Sequence, residues 1–223
     1  IKRDMKKEKS KIVVIEIGGT VGEYENLLFL EAIRLLKLKK PKDIVMILVS
    51  FIPTLGAGGT EFKTKPTQHA VRSLNSVGIH PDIILGRAPT PLDKKRKEKI
   101  EFMCSLKKGD VISAPDVKSI YEVPLNFEAD HVSDRILQKL GLRPRKRDLH
   151  EWKTLVRKIA ASTKPITIGI IGKYFGTGDF VLEDSYISVI EAIKHASYAL
   201  GRKPIIAWLD AERYDSKLNK SYR

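Results

Sequence analysis

Apolar residues along the chain fall into two patterns: short continuous runs, and longer stretches spaced by three and four. The continuous runs are rich in β-branched residues, as expected of strands buried on both faces of a parallel sheet. They cover Ile12-Val13-Val14-Ile15, residues 43–51, Ile83-Ile84-Leu85-Gly86-Arg87 and Val111-Ile112-Ser113. Between them lie helical patterns. Residues 23–38 place Leu27, Leu28, Leu30, Ile33, Leu35 and Leu36 on one apolar side. Pro66 opens a helix that runs to about Val77 and stops at Gly78, with proline and glycine at their usual ends. Residues 92–102 form a basic helix. Residues 117–123 pack through Ile120 and Tyr121, and residues 128–140 are helical again. Strands alternating with helices predict an α/β fold with a parallel sheet and flanking helices.

The pattern changes at Gly141-Leu142-Arg143-Pro144-Arg145-Lys146-Arg147. A helix follows over residues 149–161, with Trp152, Leu155, Val156 and Ile159 on one face. Strand 166–171, a loop rich in Gly, Asp and Phe, helix 186–200 and strand 204–210 then make one βαβ unit, the opening of a second α/β domain. The expected division is a partial domain over 1–142, a linker with a helix over 143–164, and the start of another domain over 165–223. Residue 1 is Ile rather than Met, and residues 216–223 carry no closing element, so the chain reads as a piece of a longer polypeptide.

Composition adds charge to this picture. The apolar share is 42% and the charged share 30%, ordinary for a globular protein, but the net charge is +14. Such a balance calls for anionic partners: nucleotides, nucleic acid or a membrane surface. The basic runs at 2–11 and 143–147 prompt a nucleic-acid-binding reading, which the lack of aromatic stacking platforms disfavours. Cys104 is the single cysteine, which excludes an internal disulfide and a cysteine-only zinc site and fits a reducing compartment. It reads as a small core residue rather than a nucleophile. The five histidines, His69, His80, His131, His150 and His195, lack metal-ligand spacing. No apolar run approaches the about 20 residues that span a bilayer, and a cytoplasmic protein is expected.

Two stretches carry candidate chemistry. Glu16 closes the first apolar run and faces the turn Ile17-Gly18-Gly19-Thr20-Val21-Gly22. An acid at a strand tip before a glycine turn suits a Mg²⁺ ligand of the Walker-B kind, the alternative being a carboxylate satisfied by backbone N–H groups. The companion run G-x-x-x-x-G-K-[ST] is absent, and Gly169-Ile170-Ile171-Gly172-Lys173-Tyr174 has the wrong spacing. The second stretch is Lys63-Thr64-Lys65-Pro66-Thr67-Gln68, after the glycine loop Gly56-Ala57-Gly58-Gly59-Thr60-Glu61. Ammonium, hydroxyl and amide groups so close together suit an oligophosphate attached to a polar ring, or else form only a solvated turn. Arg87, at the end of the third run, is either an anion contact or a surface arginine.

Five segments together resemble the CTP synthase family. They are residues 16–25 (EIGGTVGEYE), 61–68 (EFKTKPTQ), 119–124 (SIYEVP), and Gly172-Lys173-Tyr174 with 188–195 (SVIEAIKH). The similarity runs from about Ile12 to Asp210. It implies a P-loop-like (dethiobiotin-synthetase-like) synthetase sheet followed by the beginning of a flavodoxin-like glutaminase domain. It implies a ligase that aminates UTP to CTP with ATP, through a 4-phosphorylated UTP intermediate, using ammonia from glutamine. By the same resemblance Glu16 is the Mg²⁺ ligand. Lys63, Thr64, Lys65, Pro66, Thr67, Gln68 and Lys99 form the UTP site, and Arg87, Asp116 and Val117 contact ATP. Glu23, Tyr24 and Glu25, with Lys63, Gln68 and Lys99, recognise CTP as a feedback inhibitor. The family usually has Asp-Ile-Glu where this chain has Glu23-Tyr24-Glu25. The family's phosphate loop and its glutaminase Cys, His and Glu have no counterpart in these residues, so no catalytic residue is assigned and the chain alone is expected not to make CTP. An inactive UTP/CTP-binding fragment or regulatory scaffold is the alternative. The family's members are homotetramers with nucleotide pockets between subunits, and neither a membrane nor a nucleic-acid partner is implied.

Overall fold

A computed structural model describes residues 7–56, 61–144, 148–172, 176–177, 180–181 and 183–211. The chain divides into two compact units, Ile1–Arg147 and Asp148–Arg223.

The first unit is built on a three-stranded parallel sheet of β1 (Ile47–Phe51), β2 (Ile83–Ala88) and β3 (Val111–Pro115), in the order β1-β2-β3. Val49 stands opposite Leu85, and Leu85 opposite Ile112. Among the helices of the described residues that accompany it are α1 (Leu27–Lys39), α2 (Lys65–Ser76), α3 (Lys94–Met103), α4 (Val123–Ala129) and α5 (Val132–Lys139). Side chains alternate across a strand, and the two faces bury different sets. Leu48, Ile84, Ala88 and Val111 pack with Ile52, with Val71 and Leu74 of α2, and with Leu92, Ile100 and Cys104 around α3. On the other face Ile83 and Ile112 pack with Val132, Phe127 and Ile136. Gly86 belongs to the first face because a Cβ there would lie 2.7 Å from both Ile52 Cδ1 and Leu92 Cδ1. Cys104 is a buried core residue, as its sequence context indicates, and burial pushes its thiol pKa up.

Helix ends follow local chemistry. Pro66 sits in the first turn of α2, and Gly78 follows it at φ +76°, the left-handed conformation glycine adopts without strain. Asp93 caps α3, its Oδ1 accepting from the Arg96 N–H at 2.8 Å. Lys37 pins α1 to the sheet, donating to Asp82 Oδ2 at 2.7 Å and to the Ile44 carbonyl, while Asp82 also accepts from the Met46 N–H.

Four sequence expectations need correction. Residues 12–15 form no strand, and Val14 is 92% exposed. A parallel strand is held by a neighbour's ladder, and the outer edge of β1 pairs with no strand among the described residues. β-branching reports what a segment does once paired, not whether a partner is there. The single helix expected over 128–140 is two, broken at Asp130 and His131. His131 adopts φ +55°, and Asp130 Oδ2 accepts from Lys97 Nζ at 2.9 Å and from the Ser113 N–H at 3.2 Å. Ile120, expected to pack, is 66% exposed. The apolar stripe of α1 is half covered: Leu30 is buried, whereas Leu28 is 82% exposed and Leu27 and Leu35 are open as well.

The second unit contains α6 (His150–Ala161), β4 (Lys164–Gly172), α7 (Ile187–Ala199) and β5 (Arg202–Asp210). β4 and β5 pair in parallel from Lys164↔Arg202 to Gly172↔Asp210, with α7 as the crossover between them. Ile170 and Ile190 pack with Tyr186, Ile193, Ile206 and Trp208, and the Tyr186 and Trp208 rings meet edge to face at 6.2 Å. Lys173 and Tyr174 lie outside the described residues.

Asp110 gives the first unit a test of its energetics. Its buried carboxylate accepts from Lys139 Nζ at 2.6 Å and lies 3.7 Å from Arg135, tying α5 to the start of β3. Asp110→Asn leaves two half-buried cations without their counter-charge and lowers the unfolding free energy by about 3 kcal/mol, measured by urea denaturation. A second expectation concerns Ser50, whose buried hydroxyl donates to Thr67 Oγ1 at 2.9 Å. Ser50→Ala lowers stability by about 1 kcal/mol in the same assay.

Candidate functional site

Ligands of open α/β sheets bind outside the carboxyl ends of the strands, and the lysine turn is built there. Beyond β1, the two-residue strands Thr54–Leu55 and Glu61–Phe62 pair antiparallel and fold the chain back on itself. The Lys63 N–H then donates to the Pro53 carbonyl at 2.8 Å, and α2 begins two residues later. Residues 57–60 of the glycine loop, Ala57 to Thr60, lie outside the described residues.

Within residues 63–68 the side chains divide by direction. Thr64, Thr67 and Gln68 are buried, Thr67 completely at 0% exposure. Thr67 accepts from the Ser50 hydroxyl, and Gln68 Nε2 donates to Thr64 Oγ1 at 3.2 Å. Lys65 and Pro66 are exposed and Lys63 is half-exposed. Three of the six sequence candidates therefore build the turn from inside, and the two lysines offer its open charge. Ser50 was missed in the sequence, although a hydroxyl interrupting an apolar strand was the available signal.

The charge around the turn is mixed. Lys63 Nζ donates to Glu61 Oε1, a pair whose side chains are 38% and 59% exposed. That hydrogen bond, more than the charge of Lys63 or the weaker effect of Arg96, holds the Glu61 carboxyl below its usual range. Lys99 is exposed on α3. Arg87, at the C-terminal end of β2, donates to Asp116 Oδ1 at 2.7 Å, so these two sequence candidates meet at the same sheet edge. Val117 follows, half-buried. Arg87 also borders an apolar pocket of about 200 Å³, lined by Val49, Leu85, Ala114, Pro115 and Phe127 among others. That pocket was not foreseen; its walls come from three strands and α4, which no local pattern connects.

Glu16 differs from expectation. It is exposed and ends no strand, so the strand-tip arrangement is not formed. Its carboxylate lies over the glycine turn, Oε1 being 3.3 Å from where a Gly18 Cβ would sit. The Glu23 carboxylate and the Asn26 amide crowd the corresponding position at Gly19, whose φ is +86°. Ile17 and Val21 anchor this turn to the core that also holds Ile52 and Val71. Tyr24 is 84% exposed, and Glu25 stands beside it on the short turn Tyr24–Asn26. Among the described residues no group of three or more His, Cys, Asp or Glu is placed to hold a metal ion. Mg²⁺ usually takes one or two carboxylates and completes its shell with phosphate oxygens and water. The single Glu16 carboxylate fits that partial role and not a protein-only cage.

Comparison with known proteins agrees with the sequence motifs. Residues 1–142 match the family model described as the CTP synthase N-terminus. The CTP synthase of Methanococcus maripaludis is 43% identical over 211 residues, covering 94% of this chain and 38% of that protein. The CTP synthase of Carboxydothermus hydrogenoformans is 43% identical over 223 residues, covering 100% of this chain and 41% of that protein. That of Sulfolobus acidocaldarius is 39% identical over 223 residues, with 99% and 41% covered. The chain thus spans about two fifths of the length of the curated relatives it matches. With its first 142 residues matching the family model, the chain belongs to the CTP synthase family.

Proposed function

We propose that this protein serves the ATP-dependent amination of UTP to CTP, with residues 63–68 as its UTP triphosphate site. The carrying observation is the division of that turn: hydroxyls and an amide locked inward by the Ser50–Thr67 and Gln68–Thr64 bonds, Lys65 exposed and Lys63 half-exposed beside Glu61. A turn fixed from beneath holds its charges where a ligand needs them, so less ordering entropy is lost on binding.

UTP carries about four negative charges, which Lys63, Lys65 and Lys99 offset while the Thr64 and Gln68 region flanks the ligand. Arg87, Asp116 and Val117 serve ATP at the neighbouring strand ends, and the apolar pocket beside Arg87 suits a flat base. Glu16 would hold Mg²⁺, which when bound supplies charge neutralisation on phosphate oxygens. In the reaction the ATP γ-phosphoryl passes to the uracil O4, ammonia attacks C4, and phosphate departs. This chain's residues contribute positioning and electrostatics. The unit Asp148–Arg223, with its βαβ core, is the start of the domain that releases ammonia from glutamine. Glu23, Tyr24 and Glu25 form the CTP feedback segment, with Tyr24 where the family has an aliphatic residue. The exposed Leu28, Phe29 and Leu38 of α1 support assembly into a homotetramer. In the described residues no helix is long and apolar enough to cross a membrane.

Calorimetric titration with UTP and Mg²⁺ tests the triphosphate site. The chain binds UTP, and Lys65→Gln weakens binding about tenfold or more by removing a charge-assisted contact. Equal affinity in the variant, or no binding by the parent chain, overturns the assignment. A separate assay with UTP, ATP and ammonium expects no CTP from the 223-residue chain alone; CTP formation there refutes the reading that half the ATP site lies outside these residues.

A further inference from the structure

One of the two lysines of the turn already has an anion. Lys63 Nζ donates to the Glu61 carboxylate two residues upstream, and both side chains are open to solvent. The backbone enforces the meeting. Glu61 is registered opposite Leu55 in the short antiparallel pair, and the Lys63 N–H is fixed to the Pro53 carbonyl, so both residues leave the same pair of strands. Arg96, at the start of α3, adds positive charge toward Glu61, although its own guanidinium is engaged by Asp93 at 3.0 Å. An exposed pair of this kind contributes little to stability, so holding the fold together does not account for it. A phosphate group arriving at the same ammonium meets a carboxylate of like charge, and the two can share it only against their mutual repulsion.

Building on the triphosphate reading, we propose that Glu61 is a competing internal anion for Lys63 and thereby helps determine which anions the lysine site admits. In the ligand-free protein its carboxylate stands where a phosphate oxygen would bind. A polyphosphate displaces it because several negative charges act on Lys63 and Lys65 together. A weak anion or an uncharged nucleoside leaves the pair closed. The site is thus selective through an element that opposes binding as well as through the contacts that favour it.

Titration calorimetry with inorganic pyrophosphate, and separately with UTP, each with Mg²⁺, compares the parent chain with Glu61→Gln, Glu61→Ala, Lys63→Gln and the double variant Glu61→Gln/Lys63→Gln. Both Glu61 variants are expected to bind pyrophosphate about two- to fivefold more tightly, whereas Lys63→Gln binds more weakly. The double variant matches Lys63→Gln, since the carboxylate acts through the ammonium; a general change of fold or net charge would not produce that pattern. Unchanged thermal unfolding midpoints confirm that the exposed substitutions leave the structure intact. Glu61 variants that bind no better than the parent overturn the proposal and leave the triphosphate site standing, with Glu61 then merely orienting Lys63. A gain that persists in the double variant also overturns it. If the parent and every variant bind neither probe, the triphosphate site is refuted and this role of Glu61 with it.

Discussion

A hydroxyl on a strand and a hydroxyl on a helix meet in the interior of the first unit, and the candidate site depends on that contact. Ser50 lies on β1 and Thr67 in the first turn of α2. Their bond, with Gln68 closing on Thr64, fixes the helix start against the end of the strand. A buried polar group is costly unless paired, so the pairing constrains as well as stabilises. The turn has little freedom to shift without stranding a hydroxyl. Lys63 and Lys65 are mounted on this anchored segment.

The two faces of the sheet serve different ends. The face carrying Leu48, Ile84 and Val111 is packed against α2 and α3, and it sets the position of the lysine turn. The opposite face is covered by α4 and α5 over β2 and β3, and near β1 it opens into the pocket beside Arg87. One layer packs beneath the lysine turn, while the other leaves an apolar hollow at the same strand ends. A nucleotide needs both kinds of surface, since its phosphates and its base have opposite solvation. Glu61 adds a restraint of a different sort, a carboxylate that keeps an exposed ammonium occupied at low energetic cost.

The sequence by itself determined the elements whose cause is local. Pro66 and Gly78 delimit α2 through their backbone preferences, and the apolar runs expected at 43–51, 83–87 and 111–113 hold the strands 47–51, 83–88 and 111–115, the first of them shorter than its run. The lone cysteine went to the core, and the βαβ order of the second unit was legible from alternating periods. The lysine and threonine motif, with the glycine turn after Glu16, was specific enough to indicate the family. Tertiary structure alone decided what depends on neighbours distant in the chain. Residues 12–15 have the composition of a strand but no adjacent ladder among the described residues, and they and Glu16 are exposed. The helix expected over 128–140 is interrupted at Asp130, whose carboxylate accepts from Lys97 and Ser113 on another helix and strand. Which threonines point inward, and that Lys63 is held by Glu61, follow from hairpin register and helix docking. Sequence carries the chemistry of each side chain, but its direction is set by packing that only the folded chain supplies.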